Sequence, residues 1–421
     1  MSDIIRMMEH GPFPNSESNR LYDSKLAGGL CLNPEAKSFD QRYFVQWMQW
    51  GNSCGYYASY VIGTQWVDTD QGRKAVVVLP KIENIDYLKM FMTCFFCRKG
   101  AETFHKIYHI DIQESPICCP GMDSILSPMI VVHFLSVVQR LVAKGLKKSY
   151  IRRENNLRKV RGQIATTENE TLNIRLKRFD RIYCKYQEFS ENTPENQLLK
   201  AALKYALSFL QRQPGNGAQP LLQVAHKCLA YMHGVDDQYD LKSICQTKRN
   251  KLYREYDEAL QLAKLILRHF DYAISQTEVH QDVVHPFWID LSLLYERYVY
   301  GLLDEAYPGD IVYQFHGNSG YPDFLSCSTK MILDTKYIPR IDSEKLDSYI
   351  VRQLAGYSRD EMIIRELQED REKVIPCVLI YPNQRASNNP FHEPLDTLAL
   401  RTPISGFSKF YSIGVSLPVL E

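Results

Sequence analysis

The segment from Tyr321 to Tyr337, YPDFLSCSTKMILDTKY, constrains the fold of this chain more than any other. Its two apolar runs, PDFLSC and MILDTKY, flank a short polar turn and read as an antiparallel hairpin. Strand interiors ordinarily exclude charge, yet Asp323, Asp334 and Lys336 fall inside these runs. Side chains alternate along a strand, so Asp334 and Lys336 share a face. With the turn at Ser328-Thr329, Asp323 stands opposite Asp334, and cross-strand carboxylates about 5 Å apart repel. A divalent cation between them reverses that sign, and open positions for water and phosphate oxygens suit Mg2+. Ser-Thr is not a favoured two-residue turn, which leaves the register open to a slip of one, although the pairing of 334 with 336 does not depend on it. In the competing reading Asp323 starts a turn after Pro322, while Asp334 and Lys336 line the solvent face of an edge strand.

A chain of 421 residues exceeds one typical domain, and 45% hydrophobic residues suffice for more than one core. The net charge of +1 neither demands nor excludes nucleic acid, so the distribution of charge matters. From 140 to 185 there are 14 basic residues against 4 acidic ones. A solvated helix face and a phosphate-contacting surface both fit, the latter with Lys147, Lys148, Arg152 and Arg153 as DNA contacts. The 11 cysteines form no framework and suit reduced thiols. A zinc site can be drawn from Cys94, Cys97, Cys118, Cys119, His105 and His109, but the run MFMTCFFC fits buried cysteines better. The N-terminus lacks a basic start with an apolar stretch, and the run MIVVHFLSVV is too short to span a bilayer. A cytoplasmic protein without membrane contact is expected.

Hydrophobic periodicity divides the chain into three. Residues 1–125 read as a β-rich domain with one helix around NIDYLKMFMTCFF. Residues 126–280 read as mainly helical and carry the basic stretch; Pro128 opens one helix, and Thr193 with Pro194 caps another whose buried stripe is Leu199, Ala202, Leu203, Ala206 and Leu210. Residues 281–421 read as an α/β domain: a helix over HPFWIDLSLLYERYVYGLL, the hairpin, a helix around 344 to 370 and the strand VIPCVLIYP. The fold class is therefore multi-domain α/β.

The order P-D, short apolar hairpin, D-x-K resembles the PD-(D/E)xK nuclease superfamily. That resemblance implies a restriction-endonuclease-like C-terminal domain in which Asp323 and Asp334 ligate Mg2+ and Lys336 positions or activates the attacking water. RQLAGY places Gln353 and Tyr357 at i, i+4 on one helix face and looks like the QxxxY element of RecB-type members. Glu296 matches the acidic residue such enzymes often add beside the metal. As an ordinary amphipathic face and a solvated carboxylate, these residues have plainer readings too.

KVRGQI, CKYQEFSENTPENQLLKAAL, FWIDLSLLYERYV, the hairpin and RQLAGY, in that order, resemble the McrC family, the nuclease subunit of McrBC modification-dependent (5-methylcytosine) restriction systems of phage defence. The likeness is close over about 150 to 380 and stylistic before 120; the hairpin turn lacks Gly or Asn, and Pro339 follows the second strand closely. It implies a partner, an McrB-like AAA+ GTPase ring, with double-stranded methylated DNA as substrate and residues 1–125 binding the ring. It also implies Mg2+ or Mn2+ as cofactor, with GTP entering only through the partner. The chain has no GxxxxGK[ST] of its own, and KGLKKS lacks the upstream glycine. Two rival readings are a stand-alone RecB-like repair nuclease and a catalytically inert regulator of an AAA+ ring.

Overall fold

The computed structural model describes residues 4–13, 29–32, 42–50, 53–69, 72–97, 107–111, 113–213, 217–239, 254–275, 283–338, 347–385 and 389–420. His105 and Pro339 lie outside the described residues. The chain forms two compact units, Met1–Met129 with Glu278–Glu421, and Ile130–Thr277. The first and last of the segments separated by sequence therefore share one unit.

In that unit the first strands are β1 (Ile4–Met8), β2 (Gly29–Cys31), β3 (Tyr43–Trp50), β4 (Ser53–Ala58), β5 (Val61–Thr69) and β6 (Gly72–Leu79). The run from Ala75 to Val78 is fully buried, as befits a strand covered on both faces. Helix α1 (Tyr87–Phe96) is capped by Asp86, which accepts from Lys89 N at 3.0 Å. Cys94 and Cys97 are buried, with their thiols directed at the carbonyls of Leu294 and Cys94. β7 (Tyr108–Ile110) and β8 (Ile117–Cys118) complete this part of the chain.

The second unit holds most of α2 (Asp123–Lys144), which begins five residues before Pro128 rather than at it. This helix is long and apolar enough to cross a membrane, but 89% of its apolar window is buried inside the fold, as in the core helix of a folded unit. The basic stretch that follows is mostly strand, with only a short helical segment. It forms β9 (Ser149–Leu157), β10 (Gln163–Ile164), a short α3 (Thr166–Asn169) and β11 (Ile182–Ser190), with β11 central in an antiparallel three-stranded sheet. Both faces of β9 are polar, which hides the two-residue period that its exposure follows at first. α4 (Pro194–Gln211) is capped by Thr193, carries Pro194 in its first turn and buries the stripe read from sequence. α5 (Gln219–Tyr231) and α6 (Arg254–Ser275) pack on it.

Back in the first unit, β12 (Val283–Val284) pairs with β8. FWID, expected as the start of a helix, is instead strand β13 (Phe287–Asp290), and the helix α7 (Leu291–Ala306) starts after it. Asp290 ends the strand by accepting from Leu293 N at 2.9 Å and Ser292 Oγ at 2.6 Å, so a single carboxylate separates the elements. The first sheet runs β1-β6-β5-β13-β7, with β13 between two N-terminal strands. Gly63 makes this possible: a Cβ there would lie 2.1 Å from Phe287 O, and its φ of +138° favours glycine.

α7 leads into a five-stranded sheet of order β14 (Ile311–Tyr313), β15 (Phe324–Ser326), β16 (Met331–Thr335), β17 (Cys377–Pro382) and β18 (Phe410–Val415). The first three are antiparallel and the last three parallel. Between β16 and β17 the single helix expected over 344 to 370 is two, α8 (Ser348–Tyr357) and α9 (Glu361–Glu366), because Asp360 caps the second. Their apolar faces cover Leu325, Ile332, Cys377 and Leu379. A last helix, α10 (Leu395–Arg401), precedes β18.

Candidate active site

The pairing Phe324↔Leu333 sets the hairpin register and, continued by one residue, puts Asp323 opposite Asp334. The turn is longer than two residues, however. Cys327 to Lys330 form it, Lys330 adopts φ +53°, and Asp310 holds it through Ser326 Oγ and Ser328 N, each at 2.6 Å. A neighbouring carboxylate thus does what Gly or Asn would do in a tight hairpin.

β16 is buried throughout, and Asp334 is 1% exposed. Lys336 Nζ lies 2.5 Å from Asp334 Oδ2, the contact that the i, i+2 spacing demands, yet that oxygen has no partner with hydrogen-bond geometry. Asp323, half-buried, accepts from Thr335 N at 2.6 Å and Thr335 Oγ1 at 2.5 Å. Burial, then the charge of Asp323, pushes Asp334 up to about 7 against the pull of Lys336. Asp323 is likewise raised by burial. Burial lowers Lys336, but Asp334 and Asp323 outweigh it and hold the ammonium above its ordinary range. An edge-strand solvent face does not fit these groups.

Glu296, on α7, accepts at Oε1 from Tyr313 Oη at 2.5 Å and Gln314 Nε2 at 2.9 Å. Burial and the charge of Asp323 raise it to about 7, which ties it electrostatically to the same centre. Sequence spacing gave no sign of Tyr313 and Gln314, whose role depends on β14 lying beside α7. Among the described residues no three His, Cys, Asp or Glu side chains converge as a metal-ligand group. The protein's share of a cation site would thus be the aspartate pair, with Glu296 held next to it. Two neighbouring carboxylates, both raised by burial and Asp334 raised further by the charge of Asp323, fit a hard cation that keeps several waters.

Gln353 and Tyr357 do share a face of α8: Gln353 Nε2 donates to Tyr357 Oη at 2.9 Å, and that hydroxyl donates to Tyr321 O at 3.2 Å. Gln353 Oε1 is buried without a partner. The basic residues stand elsewhere, in the other unit. Lys147 is an internal strut, bound to Glu195 at 2.6 Å, with its backbone tied to Tyr256 and Asn196. Lys148 pairs with Glu191, Arg152 with Glu154 and Arg153 with Glu188. Lys147 is half-buried in its pairing, while Lys148 and Arg152 are exposed.

Glu9, which the sequence did not mark, is fully buried beside Tyr337, the residue after Lys336. Its Oε1 accepts from Lys81 N at 3.1 Å and Oε2 is without a partner. Burial raises its carboxyl from 4.5 to about 7. A carboxyl raised in the folded state costs stability as pH climbs from the unfolded to the folded pKa, because only the unfolded chain releases the proton there. Glu9→Gln is therefore expected to match wild type near pH 4.5 and to be more stable by roughly 3 kcal/mol at pH 8. Urea unfolding at the two pH values checks this; equal wild-type and variant stabilities at pH 8 would refute it.

An α/β unit with a buried aspartate pair beside a charged lysine, at the seam of antiparallel and parallel strands, is the class of protein these observations define. The family described as McrBC 5-methylcytosine restriction system component matches residues 66–382, and the chain belongs to that family. No curated protein matches it. The chain is similar to one in the refined half-complex from the tetradecameric assembly of Thermococcus gammatolerans McrB AAA+ hexamers with bound McrC, at 14% identity and TM-score 0.41, covering 99% of this chain and 95% of that one. It is also similar to a chain of the Thermococcus gammatolerans McrBC complex, at 12% identity and TM-score 0.32, covering 72% and 88%.

Proposed function

We propose that this chain is the McrC-like nuclease subunit of a modification-dependent restriction system, cutting double-stranded DNA with Mg2+ or Mn2+ in company with an McrB-like AAA+ GTPase ring. The observation that carries the reading is the Asp323, Asp334 and Lys336 constellation on one hairpin, backed by α8 with Gln353 and Tyr357 and by α7 with Glu296, an arrangement like that of PD-(D/E)xK nucleases. Asp323 and Asp334 would hold the cation, which when bound supplies Lewis-acid stabilisation of phosphate charge and lowers the pKa of water. Lys336, whose ammonium the two aspartates hold above its ordinary range, would orient the attacking water and place positive charge at the phosphoryl oxygens. The unpartnered Gln353 Oε1 offers an acceptor, while Tyr357 braces the Tyr321 backbone before Asp323.

GTP enters through the partner. Residues 1–125 were the expected ring-binding segment, and four of their strands share a sheet with β13. The uncovered apolar side chains in the basic segment, Ile174, Leu176 and Phe179 at 52, 56 and 77% exposure, offer a second candidate ring contact. The inert-regulator reading has one observation in its favour, the lack of a three-ligand cluster among the described residues. The deciding assay follows GTP turnover and cutting of methylated and unmethylated duplexes by the chain with its partner ring. Partner-dependent cutting of methylated DNA is expected; cutting by the chain alone would favour the RecB-like reading, and GTPase stimulation without cutting at any divalent cation would favour the inert regulator.

A further inference from the structure

We infer that the turn between β14 and β15 is a DNA-contacting element, with the Tyr321 ring stacking on the nucleotide beside the scissile phosphate and His316 bracing that ring; this rests on the nuclease reading above. The chain goes to unusual lengths to hold this turn still. Gly317 N donates to Gly320 O at 2.9 Å, closing a four-residue turn. Asp360, 3% exposed, reaches from the start of α9 to accept from Ser319 N at 2.5 Å and Asn318 Nδ2 at 3.2 Å. Gly320 has φ +126°, and a Cβ on it would stand 3.4 Å from the Tyr357 ring. On Gly317 a Cβ would meet Asp360 Oδ2 at 2.9 Å. Tyr357 fixes the far arm through Tyr321 O.

A turn fixed at so many points buries Phe315 partly against the core yet leaves two other aromatic side chains outside. Tyr321 is 58% exposed, and exposed His316 meets its ring edge-on, with centroids 4.6 Å apart and planes at 67°. The edge-on contact fixes the orientation of the tyrosine and leaves the rest of its ring open. Tyr321 lies two residues before Asp323, so anything bound at the aspartate pair has neighbours within its reach. For a phosphodiester, those neighbours are a base and a sugar, which a neutral aromatic ring recognises by stacking irrespective of sequence.

The test needs no catalysis. The full chain is titrated in EDTA against a duplex carrying 2-aminopurine, reading affinity and fluorescence at several salt concentrations. Tyr321→Ala is expected to bind roughly 5- to 100-fold more weakly, the range stacking losses span. The slope of affinity against salt should stay at the wild-type value, since no phosphate contact is lost. Tyr321→Phe should retain affinity, which also shows that the turn folds, and His316→Ala should fall between. Wild-type affinity in Tyr321→Ala, an altered salt slope, loss of ring binding with DNA binding intact, or no DNA binding by the wild type would each overturn the inference. A chain that binds DNA through Tyr321 yet never cuts it would instead count against the nuclease reading alone.

Discussion

Asp334→Asn is expected to lower DNA cutting by at least about a thousandfold while leaving metal-free stability undiminished. The loss follows from removing half of the aspartate pair: a bound cation contributes several kcal/mol of charge stabilisation, and about 4 kcal/mol is three decades in rate. The retained stability follows from the electrostatics, because burial and Asp323 already hold this carboxyl near 7, so that ionising it works against the fold. Single-turnover cutting measures the first effect. Thermal unfolding with EDTA and with Mg2+ measures the second, the wild type gaining stability from the ion by mass action and the variant not. Cutting at the wild-type rate would refute the nuclease reading, whereas a collapsed EDTA melting curve would show Asp334 to be a structural residue.

How much of this centre could be read from the residues depended on sequence distance. Asp323, Asp334 and Lys336 were legible because alternation within a strand and a short hairpin fix their relations locally. The same holds for Thr193 and Pro194 at the start of α4 and for Gln353 with Tyr357 one helical turn apart. Tyr313 and Gln314 on Glu296, and Glu9 beside Tyr337, were not legible, since only the packing of remote elements brings them together. FWID misled for another reason: Asp290 is a helix cap, and the strand residues directly before it run without a break into the helix that it starts. The basic stretch misled because a sheet with two wet faces has no apolar alternation to betray it.

Separation of function gives the second large effect. Lys336→Ala should abolish cutting yet leave stimulation of the partner GTPase at the wild-type level, because in the proposed nuclease Lys336 would act at the phosphate, and it lies in the first unit. Ile174→Ser with Leu176→Ser and Phe179→Ser, in the other unit, should reduce stimulation by tenfold or more, as losing a few buried apolar contacts worth about 1.5 kcal/mol or more would. Both variants are assayed for GTP turnover and DNA cutting with the same partner preparation. Loss of stimulation in Lys336→Ala would show that the two activities are not separable, and full stimulation by the triple variant would return the ring contact to another surface.

The interleaving of β13 between β5 and β7 also sets a timetable for synthesis. Val61 pairs with Asp290, so the strand that completes the first sheet is made more than 200 residues after the strand it joins. Until that segment has left the ribosome, β5 has an open edge at Gly63. The second unit, whose sequence is continuous from Ile130 to Thr277, needs no later residue and can form in the interval. Such non-local closure slows folding and leaves an unpaired edge exposed in the meantime. Truncation before Phe287 should therefore leave an N-terminal sheet prone to strand-edge association, not a miniature of the finished one.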